Sequence, residues 1–232
     1  MEKFEKIIDN QAYFENFITR SIKSSNAIEG NALSYAETYS IVFVDNDLPL
    51  QNVKPTELYE AINLKYATSY SLNNLDKFNT SIIIEIAKNI NKNINDMSGF
   101  GTTKVFIKGA NFVPPDPAYV PSKMSELIYE YNNSNDMDII AKIAKFYIDF
   151  EHLHPFQDGN GRTGRVLINH LLLQNNEVPI VIPEERRTEY FNLLQNYDID
   201  GFVKMIKELQ KDEVEKMEEY GVDYKNIFKK ID

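Results

Sequence analysis

Two stretches of helical hydrophobic period bracket a single glycine-rich break, and this arrangement fixes the centre of the chain. Ile139, Ile140, Ile143, Ala144, Tyr147 and Phe150 keep helical spacing from Met137 to about Leu153. From Arg162 to Asn175 the chain is apolar on several sides, through Val166, Leu167, Ile168, Leu171, Leu172 and Leu173, which predicts a central, buried helix. Asp158 to Gly161 interrupts the two. Residues 137–175 therefore read as a helix, a loop and a second helix, with the loop delivered to a helix start.

The flanking sequence is also mainly helical. Phe14, Phe17, Ile18 and Ile22 mark one face of an amphipathic helix over residues 10–31, stopped at Gly30, a residue suited to the left-handed position after a C-terminus. Lys54-Pro55-Thr56-Glu57 opens another helix towards Tyr66, and Ser81 to Ile94 gives a third. Thr103 to Val113 alternates, carries β-branched residues and has Gly109 in its middle, so a short β-hairpin is expected. Pro114, Pro115, Pro117 and Pro121 then forbid regular structure until a helix at about Ser122 to Asn132. The tail from Gly201 reads as a surface helix. The expected architecture is one mainly α domain over residues 1–232, with a hairpin and proline-rich loop at 100–121.

Composition narrows the function. With 25 Lys+Arg against 35 Asp+Glu, the net charge is −10, a poor match to a polyanion, so no nucleic-acid partner is expected. Cysteine is absent, which removes disulfides, thiolate zinc sites and cysteine nucleophiles. The first residues include acidic ones where a secretory leader is basic, and no apolar run approaches the ~20 residues of a membrane span. A cytoplasmic protein without membrane contact is the expectation.

The chemistry concentrates in His154-Pro155-Phe156-Gln157-Asp158-Gly159-Asn160-Gly161-Arg162-Thr163-Gly164-Arg165. A helix N-terminus offers unpaired N–H groups and a positive dipole end to an anion, and Gly159 and Gly161 allow close approach of the backbone. Arg162 and Arg165 are neighbours on the first turn, where cations are disfavoured unless an anion arrives. Asp158 supplies a hard oxygen of the kind Mg²⁺ uses beside phosphates, and His154 is the nearby group able to take a proton near neutral pH. Each element alone is commonplace; together, between two helices, they describe a phosphate site with a base.

The stretch resembles the signature of the Fic family, His-Pro-Phe-x-(Asp/Glu)-Gly-Asn-Gly-Arg-x-x-Arg, at every defined position, and the likeness extends over most of the chain. It takes in Val105 to Pro121, similar to the family's substrate-docking flap, and Tyr190-Phe191-x-x-Leu194. The resemblance implies an all-α core with a β-hairpin flap, and transfer of AMP from ATP, with Mg²⁺, to a Ser, Thr or Tyr hydroxyl of a protein. His154 would be the base and Asp158 the Mg²⁺ ligand. Gly159, Asn160 and Gly161 would bind phosphates, with the Asn160 side chain fixing the loop or the α-phosphate, and Arg162 and Arg165 would clamp the β/γ end. Phe156 would anchor the loop in the core. Tyr190 and Phe191 would lie by the adenine, although an aromatic pair there is otherwise ordinary core. The protein substrate would dock near Ile107 to Phe112; self-modification and a homodimer are family expectations. The stretch Gly99-Phe100-Gly101-Thr102-Thr103 departs from relatives that carry an Arg shortly before the flap.

Ser25-Asn26-Ala27-Ile28-Glu29-Gly30 is similar to the family's inhibitory pattern, (Ser/Thr)-x-x-x-Glu-(Gly/Asn), within the N-terminal helix. A carboxylate at a helix C-terminus is disfavoured by the dipole unless paired. Glu29, with Ser25 in the same motif, is therefore expected to pair with Arg165 and take the room of the γ-phosphate. Three alternatives stand beside this reading. The first is a hydrolase removing AMP with Glu29 as base. The second is a zinc site built from His152, His154, His170 and Glu151, for which the His-Glu-x-x-His spacing is missing. The third is a catalytically idle interaction module.

Overall fold

In the computed structural model, residues 9–44, 53–107, 111–134 and 136–228 are described, and nine α-helices appear among them. They are α1 (Gln11–Ile28), α2 (Tyr35–Phe43), α3 (Pro55–Leu72), α4 (Thr80–Asn91), α5 (Val120–Asn133), α6 (Ile139–Leu153), α7 (Asn160–Gln174), α8 (Arg187–Gln195) and α9 (Ile199–Glu219). Short polar side chains start most of them. Asn10 accepts from the Tyr13 N–H at 3.1 Å, Asn79 from Ile82 at 3.1 Å, Asp138 from Ile140 at 3.0 Å and Asp198 from Gly201 at 2.8 Å. α1 ends as its sequence demands, with Gly30 at φ +98°.

α7 is the axis of the molecule. α6, α4, α3 and α1 all pack on it, and Leu167, Leu171 and Leu172 are fully buried. α5 and α9 lie against α6, and Phe202, Met205, Ile206 and Leu209 form the buried stripe of α9. The tail helix thus lies on the surface but buries one whole face. A polar knot fastens α1 to it: the Tyr13 hydroxyl donates to Glu213 at 2.7 Å, and Arg20 meets the same carboxylate through two nitrogens at 2.8 Å. Bidentate geometry of this kind fixes angle as well as distance.

Two helices escape the periodicity argument. α2 is nine residues long with only Thr38 and Val42 buried, and it rests on a capping box in which Ser34 and Glu37 exchange hydrogen bonds. α8 is equally short and buries only Tyr190 and Leu194.

The expected hairpin is not confirmed among the described residues. No strand occurs among the described residues of 100–121, and the turn at 108–110 lies outside them. Phe106 is 78% and Val113 72% exposed and Val105 and Ile107 are only partly buried, so the alternation of Thr103 to Val113 has no fully buried face. An isolated two-stranded ribbon is marginal in water without such a face. The segment is tethered instead by Gly101, whose N–H donates to the Pro155 carbonyl at 2.9 Å, and by Phe112, whose ring stacks on His152 at 3.8 Å.

The central position of α7 sets an expected outcome. Leu167→Ala, at a site with no exposed surface, should cost about 2–5 kcal/mol through the cavity it leaves. Urea unfolding that shows less than about 1 kcal/mol would contradict a close-packed core around this helix.

Candidate active site

The loop between α6 and α7 is shaped by two left-handed residues. His154 ends α6 at φ 47°, and Gly159 starts α7 at φ 73°. At Gly159 a side chain would collide with Asn91 and Ile90, its Cβ falling 2.8 Å from the Asn91 amide nitrogen. Asn160 is a staple. Its buried amide accepts from the Phe156 N–H at 2.9 Å and donates to the Phe156 carbonyl at 2.8 Å, so its side chain fixes the loop. Phe156 is fully buried beside Phe100 and Phe150, which is the anchoring role expected for it.

No side chain caps α7, so its first N–H groups have no intrahelical acceptor and face outward as donors. The Asp158 carboxylate lies beside them, 44% exposed, accepting from the Gly159 N–H at 2.6 Å. One carboxylate next to a phosphate cradle is the donor set Mg²⁺ takes with a nucleotide, so Asp158 fits that ion. Asn91 donates to the Asp158 carbonyl at 3.2 Å, and Asn95 to its carboxylate at 3.4 Å.

Both arginines are buried, and each meets a carboxylate. Arg165 is gripped by the end of α1: it donates to the Ser25 hydroxyl at 2.9 Å, the Ser25 carbonyl at 2.9 Å and Glu29 at 2.6 Å. Burial works against its charge, but Glu29, Tyr190 and Tyr147 hold its pKa above the ordinary value. The Glu29 carboxylate also lies directly on the cradle, because a Cβ at Gly161 would fall 2.6 Å from its oxygen. Arg162 faces Glu60 of α3 at 3.1 Å and Asp158 at 3.8 Å.

His154 is largely enclosed. Burial pulls its pKa below the ordinary imidazole value, against the Glu151 backbone and the charges of Glu29 and Asp158. A neutral ring at pH 7 is the form that can accept a proton. The other histidines are engaged elsewhere. His170 sits between the Ser71 hydroxyl at 3.0 Å and the Lys77 carbonyl at 2.9 Å, and His152 meets the Leu194 carbonyl at 2.7 Å. Among the described residues, no three His, Asp or Glu side chains are grouped to hold a metal.

Tyr190 is fully buried, in hydroxyl contact with Tyr147 and 3.4 Å from Arg165. Its ring lies in the core beside Arg165. Phe191 is half-buried with the Arg187 guanidinium over its ring. Gly101 accounts for the departure before the flap. A Cβ there would press on the Gln157 nitrogen at 3.2 Å, so the backbone comes close to the loop at this point, while the Thr103 hydroxyl donates to the Gln157 amide oxygen at 2.6 Å.

Glu60, Asn91 and Glu151 belong to the site although no motif marks them. For Glu60 a signal existed, since it lies one turn before Leu64 on the apolar face of α3. Glu151 is buried against Gly164, whose missing side chain makes room for the carboxyl. Burial lifts its pKa to about 7 against the opposing pull of Arg165. A carboxyl raised this way contributes stability below its ordinary value of 4.5 that is lost as pH rises through about 7. Glu151→Gln should remove that dependence. Between about pH 4 and about pH 8 the variant should gain about 3 kcal/mol relative to wild type in chemical unfolding. Parallel pH profiles for the two proteins would refute the assignment.

Residues 77–172 match the model of the Fic/DOC family. Among curated proteins, the chain is 29% identical over 206 residues to the protein adenylyltransferase Fic of Drosophila grimshawi, covering 84% of this chain and 41% of the relative. It is 28% identical over 155 residues to a probable protein adenylyltransferase of Aquifex aeolicus (strain VF5), covering 67% of this chain and 46% of the relative. The chain thus spans less than half the length of these relatives. Among solved structures, a Fic domain containing signaling protein from Bacteroides thetaiotaomicron VPI-5482 superposes with a TM-score of 0.78 at 20% identity, covering 92% and 94% of the two chains. Fic-1 from C. elegans superposes at 0.75 with 24% identity, covering 90% of this chain and 63% of that one. The match at residues 77–172 thus places a Fic/DOC family domain within this chain.

Proposed function

We propose that the protein transfers AMP from ATP to a hydroxyl of a protein and that Glu29 restrains this activity from within the chain. One observation carries the reading: the Glu29 carboxylate rests on Gly161 and Arg165, where an anion is otherwise called for. A helix start with free N–H donors and two arginines is built for phosphate. The names of the curated relatives give the nucleotide chemistry.

In the proposed reaction, the N–H groups from Gly159 to Gly161 hold the phosphates. Arg162 and Arg165 neutralise the β/γ end. His154, neutral at pH 7, takes the proton of the target hydroxyl. That oxygen attacks the α-phosphorus, the bond to the β-phosphate bridge breaks, and pyrophosphate leaves. Asp158 would hold Mg²⁺, which would supply neutralising charge to the phosphates. Positioning and fixed charge do most of such work. While Glu29 holds Arg165, the terminal phosphate has neither its cation nor its room, and the α-phosphorus is not aligned.

Incubation of wild type, Glu29→Gly and His154→Ala with Mg²⁺ and ATP, read by intact mass, tests the proposal. Glu29→Gly should gain an AMP-sized adduct on itself or on added protein roughly tenfold faster or more, a gain of about 1.4 kcal/mol in the barrier. His154→Ala should gain none. Equal rates for wild type and Glu29→Gly would remove the brake. Loss of AMP from a pre-modified protein only while Glu29 is intact would identify the hydrolytic direction instead.

A further inference from the structure

Arg162 presents an unfinished set of contacts. The residue is 5% exposed, yet its Nε and one terminal nitrogen are buried without a closed hydrogen bond. That terminal nitrogen lies 3.1 Å from Oε1 of Glu60, and the other lies 3.8 Å from Asp158. A guanidinium kept only for the stability of the fold has its buried donors satisfied. This one is held by charge while donors remain open.

Glu60 is itself held. Its second oxygen accepts from the Asn31 amide at 2.8 Å. The same Asn31 nitrogen reaches the Glu57 carbonyl at 3.2 Å, and the Asn31 oxygen accepts from the Leu33 N–H at 2.9 Å. The carboxylate is thus pinned from behind, with its front oxygen turned to Arg162.

We propose that Glu60 is a positioning residue for Arg162, setting that arginine in the cradle so that its open donors meet a nucleotide phosphate. The proposal rests on the nucleotide reading above and adds a residue that no motif names. Three points support it. A cation on the first turn of α7 is repelled by the helix dipole and by neighbouring Arg165, so an unpaired Arg162 would swing towards water. Glu60 opposes that swing from the rigid body of α3 rather than from a loop. A guanidinium also has five donors, enough to serve a carboxylate and a phosphate together, so Glu60 need not leave when the nucleotide arrives. Glu29 differs in that its carboxylate stands in the cradle itself.

The test uses the full chain carrying Glu29→Gly, with ATP and Mg²⁺ as the probe. ATP affinity is read by calorimetry and adduct formation by intact mass. Glu60→Ala should weaken ATP binding and raise KM for ATP roughly 10–100-fold, the range for a lost charge-assisted contact, while kcat changes by less than about threefold. Glu60→Gln keeps an oxygen for Arg162 and should recover part of the loss. Asn31→Ala should shift KM in the same direction by less. If Glu60→Ala does not fold, as judged by circular dichroism, the Gln variant carries the test and must still bind ATP more weakly than its parent. ATP binding that is unchanged or tighter in a folded Glu60 variant overturns the proposal, as does a fall in kcat at constant KM. A Glu29→Gly parent that binds ATP but forms no adduct overturns the transfer reading alone, since the Glu60 affinities remain measurable. A parent that binds no ATP overturns both.

Discussion

Arg165 is a buried cation in the second turn of α7, and the arrangement of the surrounding chain follows from the need to compensate it. Its side chain is 6% exposed, so water cannot supply the counter-charge. All three strong acceptors come from one turn of α1: the Ser25 hydroxyl, the Ser25 carbonyl and the Glu29 carboxylate. That turn has its own obligations. Glu29 caps a helix C-terminus, where the dipole opposes it, and Arg187 of α8 donates to the Ile28 carbonyl at 2.8 Å. Two destabilised groups, a buried cation near a helix start and an anion at a helix end, are each stabilised by meeting the other.

The rest of α1 converts this local pair into a fixed structure. Tyr13 and Arg20 hold its first half on Glu213 of α9, and Lys23 reaches Glu184 at 3.0 Å. The Lys23 pair is partly exposed and contributes little, whereas the Glu213 knot is largely buried and directional. Glu29 is thereby delivered to the cradle by a helix anchored about two turns away. A side chain 35% exposed on such a helix can leave the cradle through its own rotation or fraying of the last turn, without release of the Glu213 knot.

How much of this was legible in the sequence depended on whether a residue's role is local. The helices expected from period over 10–31, 137–153 and 162–175 run over 11–28, 139–153 and 160–174, and the loop residues from His154 to Arg165 stand out by their spacing. The pairing of Glu29 with Arg165 is expected from the resemblance of Ser25 to Gly30 to the Fic family's inhibitory pattern, with the dipole penalty on a carboxylate at a helix C-terminus in its favour. α2 and α8 could not be anticipated, because nine residues with two buried positions leave no periodic trace. The expected hairpin shows no strand among the described residues: alternation was present, but alternation specifies a strand only where one face is well buried. Glu60, Asn91 and Glu151 act through partners 102, 67 and 14 positions away, at Arg162, Asp158 and Arg165. A one-dimensional pattern shows such residues only as polar groups in an apolar register.

The carboxylates around the two arginines are graded by exposure, and the gradation separates what each can do. Asp158 is 44% exposed, Glu29 35% and Glu60 17%, while Glu151 is buried. An exposed carboxylate can exchange its partner for an ion or yield its place, because water takes over its solvation at low cost; a buried one cannot. Asp158 is therefore suited to a metal shared with a nucleotide, and Glu29 to a contact that is made and broken. Glu60 and Glu151 are suited to permanent duty. In the proposed reaction the terminal phosphate and Glu29 claim the same cation, so nucleotide affinity is reduced by the fraction of molecules in which Glu29 is seated. A ligand shifts such an equilibrium only by its differential affinity for the two states. Any factor that disfavours the last turn of α1, without touching the cradle, would then raise affinity and alignment together, since both depend on one guanidinium.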